Sequence, residues 1–374
     1  MVTSLDAHQV GGRRPARAPG ATFVGAMVTS LDAHQVGGRR PAAVAISVVV
    51  PTHDRAGQVV RLLRALGRQD TDPATFEVVV VDDASTDGTA SLVGDLGPSL
   101  PYRLVVVALV VNSGAATARN RGWRASEGPR VAFVDDDCVP APGWLDALSA
   151  GLDRADIAVG RTRPPAEQMT EVGPFSSYLD IGHNRTYSTC NIAYRRQVLE
   201  AVGGFDECEF TTHWLGRRAP PNAEDTDLGL RAVKAGYGDV FVPGAVVFHD
   251  VRPSDFRAHL RSIASFEALI ALVGRHPEAR QEVLGAGWFL RSVDKAVLCC
   301  WAALLVAAAR PRHRLGQVCL AGSGVVYVWQ FGRSHYPPRR PREWALAVPL
   351  GFLADSWAVF VMARGSLRRR TLLL

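Results

Sequence analysis

The apolar positions of this chain follow two different rhythms. Between residues 45 and 250, short unbroken runs of branched aliphatic residues alternate with stretches in which apolar residues recur every three or four positions. "AISVVVP" (45–51), "FEVVVVD" (76–82), "YRLVVVALVV" (102–111) and "RVAFV" (130–134) are short, β-branched and bounded by polar residues or proline. They predict strands buried on both faces. "GQVVRLLRALGRQ" (57–69), "TDGTASLVGDL" (86–96), "AATARNRGWRAS" (115–126) and "LGLRAVKAG" (228–236) predict the helices between and after them. Such alternation implies an α/β fold, a largely parallel sheet flanked by helices, in which ligands bind beyond the carboxyl ends of the strands.

Beyond about residue 253 the rhythm changes. "VLCCWAALLVAAA" (297–309), "LAGSGVVYVWQF" (320–331) and "WALAVPLGFLADSWAVFVM" (344–362) are long apolar segments, each followed by a cluster of arginines. Only the last approaches the ~20 residues that span a bilayer, and Pro349 and Asp355 interrupt it. If every segment spanned, one arginine-rich loop would be positive on the outer side, against the positive-inside bias. Helices lying in the cytoplasmic interface, or a shallow hairpin, are expected, with a soluble helical domain packed on the sheet as the alternative.

The first forty residues fit neither rhythm. "MVTSLDAHQVGGRRPA" occurs at 1–16 and again, unchanged, at 27–42. An undiverged repeat without apolar periodicity is expected to be a duplication outside the fold, with Met27 as an alternative start. The expected organisation is a disordered segment over 1–43, an α/β domain over 44–255 and a helical, membrane-associated region over 256–374.

Composition narrows the picture. The 374 residues are 47% hydrophobic, enough for a large core. The formal charge of +6 is concentrated at the two ends, which suits an anionic lipid surface. No aromatic-interleaved basic motif appears, so a nucleic-acid partner is not expected. The six cysteines form no CxxC pair or zinc spacing, in keeping with a reducing compartment: the cytoplasm, or the cytoplasmic face of the cell membrane.

Acidic residues collect at the strand ends. Asp54 follows the first strand, Asp82 and Asp83 the second, Asn112 the third and Asp135–Asp137 the next. Three adjacent carboxylates repel one another and need a compensating cation. On one rim of a parallel sheet these clusters point to a hard divalent ion.

The stretches "SVVVPTHDR" (47–55), "VVVVDDASTDGT" (78–89), "NSGAATARNRG" (112–122), "FVDDDCVP" (133–140), "CNIAYRRQVLEAVGGFDE" (190–207) and "AEDTDLGLRAVKAGY" (223–237) resemble, in this order, a family 2 glycosyltransferase of the GT-A fold with a hydrophobic C-terminal extension. The resemblance implies an inverting transfer of a sugar from a nucleotide-diphosphate donor, with Mn²⁺ or Mg²⁺. By resemblance, Asp135 and Asp137 hold the metal, with Asp135 also near the ribose as the first acid of a D-x-D pattern and His249 as a further ligand. Pro51, Thr52, Asp54, Asp83, Arg119, Asn120, Asp135 and Asp136 would face the donor nucleotide. Asp225 would be the general base and Glu224 its neighbour, while Asp227 is structural. Asn191, Asp206 and Trp214 would border the acceptor, expected to be an envelope polysaccharide, a glycolipid or a lipid-linked glycan. Residues 208–222 resemble a loop that closes over both substrates.

Two rivals stand beside this reading. A sugar nucleotidyltransferase would place a glycine-rich phosphate loop after the first strand, where "PTHDRAG" stands instead. A non-catalytic nucleotide-sugar or lipid-binding module would have no use for Asp225.

Overall fold

The computed structural model describes residues 33–37, 43–170, 172–183, 185–211, 213–214, 217–218, 222–282, 291–309, 313–334 and 341–373. In chain order the strands are β1 (Ala33–Gly37), β2 (Ile46–Thr52), β3 (Phe76–Asp82), β4 (Arg103–Ala108), β5 (Arg130–Phe133) and β6 (Cys138–Pro140). They continue with β7 (Ile157–Arg163), β8 (Ile192–Arg195), the short pair β9 (His213–Trp214) and β10 (Arg217–Arg218), and β11 (Asp239–His249). The helices are α1 (Ala56–Leu66), α2 (Thr89–Leu96), α3 (Ala115–Ala125), α4 (Trp144–Arg154), α5 (Arg196–Val202) and α6 (Glu224–Lys234). The last six are α7 (Phe256–Ile263), α8 (Phe266–Arg275), α9 (Ala279–Glu282), α10 (Ser292–Ala309), α11 (Arg314–Ser334) and α12 (Pro341–Arg369).

Nine strands form one sheet in the order β1-β4-β3-β2-β5-β8-β7-β11-β6. The four runs of branched residues are the parallel block β4-β3-β2-β5. Their alternation splits the core in two, as strands covered on both faces require. Val48, Val50, Val78 and Val80 pack with Leu62, Leu63 and Leu66 of α1 and Leu148 and Leu152 of α4 on one face. On the other face Val79 and Val81 meet Ala118 of α3, and Val49, Val131 and Phe133 join Leu228 of α6. The second half of the sheet is mixed. β8 runs antiparallel to both β5 and β7, whereas β11 is parallel to β7. The carboxyl ends of β2, β3, β5, β7 and β11 therefore share one rim, and the antiparallel pairing of β6 with β11 sets Cys138 opposite His249.

Three boundaries differ from expectation. Ala33–Gly37, inside the segment expected to be disordered, pairs antiparallel with β4 as the edge strand of the sheet; the other residues of 1–42 lie outside those described. The division at 255 separates no cores, because Ala268, Ala271 and Leu272 of α8 bury in the same cluster as Phe133 and Leu228. Pro349 and Asp355 do not break α12, a single helix long and apolar enough to cross a membrane. Asp355 is tolerated because Arg291 and the Tyr327 hydroxyl both donate to it, at 2.9 and 3.0 Å.

One close contact sets the position of α6. A Cβ on Gly229 would fall 2.1 Å from the ring of Tyr187, a fully buried residue held at φ 52°. Alanine at a helix interior ordinarily gains about 1 kcal/mol over glycine. Here overpacking, worth about 1–3 kcal/mol, acts against a ring with nowhere to move and outweighs that gain. Gly229→Ala is expected to lower the thermal midpoint, and a raised midpoint would show that Tyr187 is free to move.

Candidate active site

The shared rim opens into two cavities. The larger, about 540 Å³, is lined by Pro51, Thr52, Arg55, Asp83, Asn112 and Asp136, and across from them by Asp206 and Phe210. The smaller, about 300 Å³, is lined by Ser177, Tyr178, Ser188, Thr189, Asp225 and His249. Arg119, Asp135, Glu224 and Arg252 line both and form the partition between them.

Three arginines answer the acids of the triplet, Arg55 serving two of them. Arg119, buried on α3, donates to Asp135 at 2.7 Å and to Glu224 at 3.2 Å, tying β5 to the start of α6. Asp136 accepts from the Thr52 hydroxyl at 2.8 Å and from Arg55 at 3.3 Å. Burial still pushes its carboxyl up to about 7, with Asp137 adding repulsion that Arg55 and Thr52 only partly offset. Asp137 Oδ2 accepts from Arg55 at 2.8 Å and from Arg252 at 2.6 and 3.0 Å. Burial opposes its ionisation, but the guanidiniums of Arg252 and Arg55 hold its carboxyl below the ordinary range.

The other oxygen of Asp137 is buried with no hydrogen-bond partner among the described residues and faces His249 Nε2 at 3.3 Å. His249 Nδ1 lies 2.9 Å from the Asp250 carbonyl, which only accepts, so Nδ1 carries the hydrogen. In the neutral ring Nε2 then turns a lone pair toward a carboxylate oxygen. Two buried acceptors in that arrangement call for a cation or a proton between them. Cys138 Sγ lies in the same group of ligand atoms, all within 4.8 Å of one another. Burial raises the Cys138 thiol well above its ordinary value, so a carboxylate and an imidazole are the ligands this place offers. The residues fit a hard divalent ion. Asp135 is outside that group and is engaged by Arg119.

Asp225 stands in the first turn of α6, half-buried on the wall of the smaller cavity. Its Oδ1 accepts from Thr226 N at 2.7 Å and its Oδ2 from Thr189 N at 3.4 Å. Burial and the neighbouring Glu224 push its carboxyl up to about 7, against the pull of Arg119. The turn before it passes through Ala223 at φ 77°, a left-handed conformation that costs energy for alanine and is held by the surrounding packing.

Other expected site residues are placed differently. Asp83 lines the larger cavity and accepts the Ser113 and Gly114 amides, both at 2.6 Å, which pins the loop leading into α3. Asp54, at φ 51°, instead accepts from Thr86 at the surface and lines neither cavity. Asn120 is buried, donating to the Phe205 carbonyl and Glu207 and accepting from Trp123 Nε1 and Phe205 N. Asn191 is equally committed: it accepts from Trp144 Nε1 and donates to the carbonyls of Arg161 and Ala245. Neither lines either cavity, so both are braces. Asp206 borders the larger cavity and pairs with Arg275 at 2.9 Å. The backbone of Trp214 belongs to the β9–β10 pair, and its side chain lies outside the described residues, as does most of 212–221. Asp227 is structural as expected, buried and bonded by Arg231, Arg275 and His276.

Sequence reasoning missed Arg55 and Arg252. Arg55 closes the "SVVVPTHDR" stretch and Arg252 stands three residues beyond His249. Their positions past the ends of β2 and β11 were the available signal.

Comparison with known proteins places this geometry. Residues 47–203 match the family described as Glycosyl transferase family 2. Glycosyltransferase AglE of Haloferax volcanii is 27% identical over 217 residues, 56% of this chain and 67% of that protein. Validoxylamine A glucosyltransferase of Streptomyces hygroscopicus subsp. limoneus is 30% identical over 223 residues, 50% of this chain and 47% of that protein, so the chain spans about half of this relative. Among solved structures, the mannosyltransferase PcManGT from Pyrobaculum calidifontis, in complex with GDP-Man and Mn²⁺, superposes with a TM-score of 0.57. It is 22% identical over 88% of this chain and 90% of that chain, a likeness of fold.

Asn191→Ala leaves the Trp144 indole N–H and two carbonyls without their buried partner, at a cost of about 2–4 kcal/mol. A clear drop in thermal midpoint is the expected outcome. An unchanged midpoint with weakened acceptor binding would return Asn191 to the substrate side.

Proposed function

The chain carries a family 2 glycosyltransferase domain, and from that premise we propose that it moves a sugar from a nucleoside-diphosphate donor in the larger cavity to an acceptor hydroxyl in the smaller one, with inversion at the anomeric carbon. The observation that carries this reading is the partition of Arg119, Asp135, Glu224 and Arg252, with Arg55 and Asp136 on one side and Asp225 on the other. An acceptor beside Asp225 approaches the anomeric carbon from the side opposite a diphosphate beside Arg55 and Arg252, and displacement along that line inverts the centre.

Thr52, Asp83 and Asn112 flank the nucleoside end of the larger cavity. Asp83 spends one acceptor position of each oxygen on loop amides and keeps the others for a ring N–H of the base. Arg55 and Arg252 face the diphosphate end. As the new C–O bond forms, Asp225 takes the acceptor proton, and the bond to the diphosphate breaks with its electron pair leaving on oxygen. A carboxyl poised near 7 is matched to that task at neutral pH.

Charge supports a divalent ion, Mn²⁺ or Mg²⁺. Five carboxylates, Asp135, Asp136, Asp137, Glu224 and Asp225, meet three guanidiniums, those of Arg55, Arg119 and Arg252. Asp137 and His249 would hold the ion, which supplies positive charge to the leaving diphosphate.

Asp225→Asn is expected to cut turnover by about 10²–10⁴-fold while leaving the thermal shift given by UDP or GDP with Mn²⁺ in place. The wild-type rate should rise with pH through about 7, because the base is present above that value and protonated below it. A flat profile, or full turnover by the variant, would remove Asp225 from the mechanism, whereas nucleotide binding without any turnover by the wild type would favour the binding-module reading.

His249→Ala is expected to abolish only the metal-dependent part of the nucleotide shift. At a hundredfold the dissociation constant, the ligand contributes about 2.7 kcal/mol in the wild type. An undiminished Mn²⁺ effect would place the ion elsewhere.

A further inference from the structure

The C-terminal helices have their apolar side outward. Of the twenty large apolar side chains exposed among the described residues, fifteen lie beyond residue 300. Leu305 on α10, Val318 and Val325 on α11, and Leu346 on α12 are each more than 60% exposed, and Trp329 and Leu353 are close to that. Single exposed apolar residues are ordinary on a protein surface, but a concentration on three successive helices is not.

Several charged groups of the same unit are turned inward and paired, while Lys295 on α10 and Gln317 on α11 are exposed. Arg291 donates to Asp294 at 2.7 Å and to Asp355 at 2.9 Å, and the Tyr327 hydroxyl donates to Asp355 at 3.0 Å. Asp294 and Asp355 are fully buried. The helices also approach closely through glycine: a Cβ on Gly351 would fall 2.1 Å from the Phe331 ring, and one on Gly316 would lie 3.2 Å from the backbone of Ala307. Charges satisfied inside, apolar groups outside and glycine at the contacts are what hydrocarbon demands of a helical unit and water does not.

Charge agrees with helices embedded from one side of the bilayer rather than each crossing it. Arginines gather where the apolar runs end, at 310, 312 and 314, at 333, 339, 340 and 342, and at 364 and 368–370. These cations complement anionic lipid phosphates. The C-terminal half of α12 is covered instead by the catalytic domain, with Ala358 and Val361 against Ile263 of α7 and Met362 against Ile270 of α8.

We propose that α10, α11 and the N-terminal half of α12 insert into the hydrocarbon of an anionic bilayer, and that the rest of α12 is the rigid link to the catalytic domain. The full chain is tested by flotation with phosphatidylcholine vesicles containing phosphatidylglycerol, in low and molar salt. It should float in both. A quadruple variant, Leu305→Glu, Val318→Glu, Val325→Glu and Leu346→Glu, alters exposed positions and should stay with the soluble fraction while keeping its nucleotide-dependent thermal shift. Vesicles with brominated acyl chains, which need no variant, should quench wild-type tryptophan emission. A wild-type chain that stays soluble, release by molar salt, absence of quenching, or a variant that floats as well as wild type would each overturn the proposal. So would a stable soluble dimer that buries this face against a second copy.

Discussion

Asp135, Asp136 and Asp137 leave β5 side by side, and the cost of burying them organises the site around them. An ion taken out of water costs several kcal/mol, which excellent geometry and opposite charge must offset. Three separate elements supply that charge: Arg119 from α3, Arg55 from the turn after β2, and Arg252 from the segment after β11. Because each arginine comes from a different part of the chain, the triplet draws the rim together. The compensation is incomplete, with carboxylates outnumbering guanidiniums: burial, helped by the neighbouring acids, raises the carboxyls of Asp136 and Asp225, and one oxygen of Asp137 is left without a hydrogen-bond partner among the described residues.

The same ion pairs explain how the two cavities are kept apart yet adjacent. Arg119 bridges an acid at a strand end to an acid at a helix start, so β5 and α6 cannot separate without exposing a buried, uncompensated charge. Glycine at 229 lets α6 settle onto Tyr187, and the residues that follow Tyr187 deliver the Thr189 amide to Asp225. Positioning of the base is thus a packing matter first and an electrostatic one second.

A further set of contacts ties the cavity wall to the C-terminal helices. Asp206, which borders the larger cavity, is held by Arg275 at the end of α8, and Glu209 is paired with Arg369 at the end of α12. The segment from Asp206 to Thr211 is therefore braced from outside the parallel block. This is the structural reason the chain shows no break near residue 255, although its chemistry-bearing motifs stop there.

Much of this protein was legible in local pattern. Strands buried on both faces announce themselves as unbroken branched runs, and the rule that ligands gather at their carboxyl ends drew Asp83, Asn112, Asp135 and Asp136 to one cavity but also named Asp54, which lines neither, because the rule depends on neighbours in sequence and on strand direction alone. The short strands β6 and β8 left no such signal, since three or four residues are too few to show a period. Asn120 and Asn191 show where motif reading fails: polar residues inside a motif serve a ligand or a backbone equally well, and only the positions of Trp123, Phe205, Trp144 and Ala245 reveal that theirs is the backbone. Sequence by itself determined the α/β class, the acidic rim and the apolar extension. Tertiary structure alone decided which cations answer the acids, which oxygen is left open, and that Asp136 and Asp225 stand on opposite sides of one partition, because charges act through space and their partners lie up to 115 residues apart.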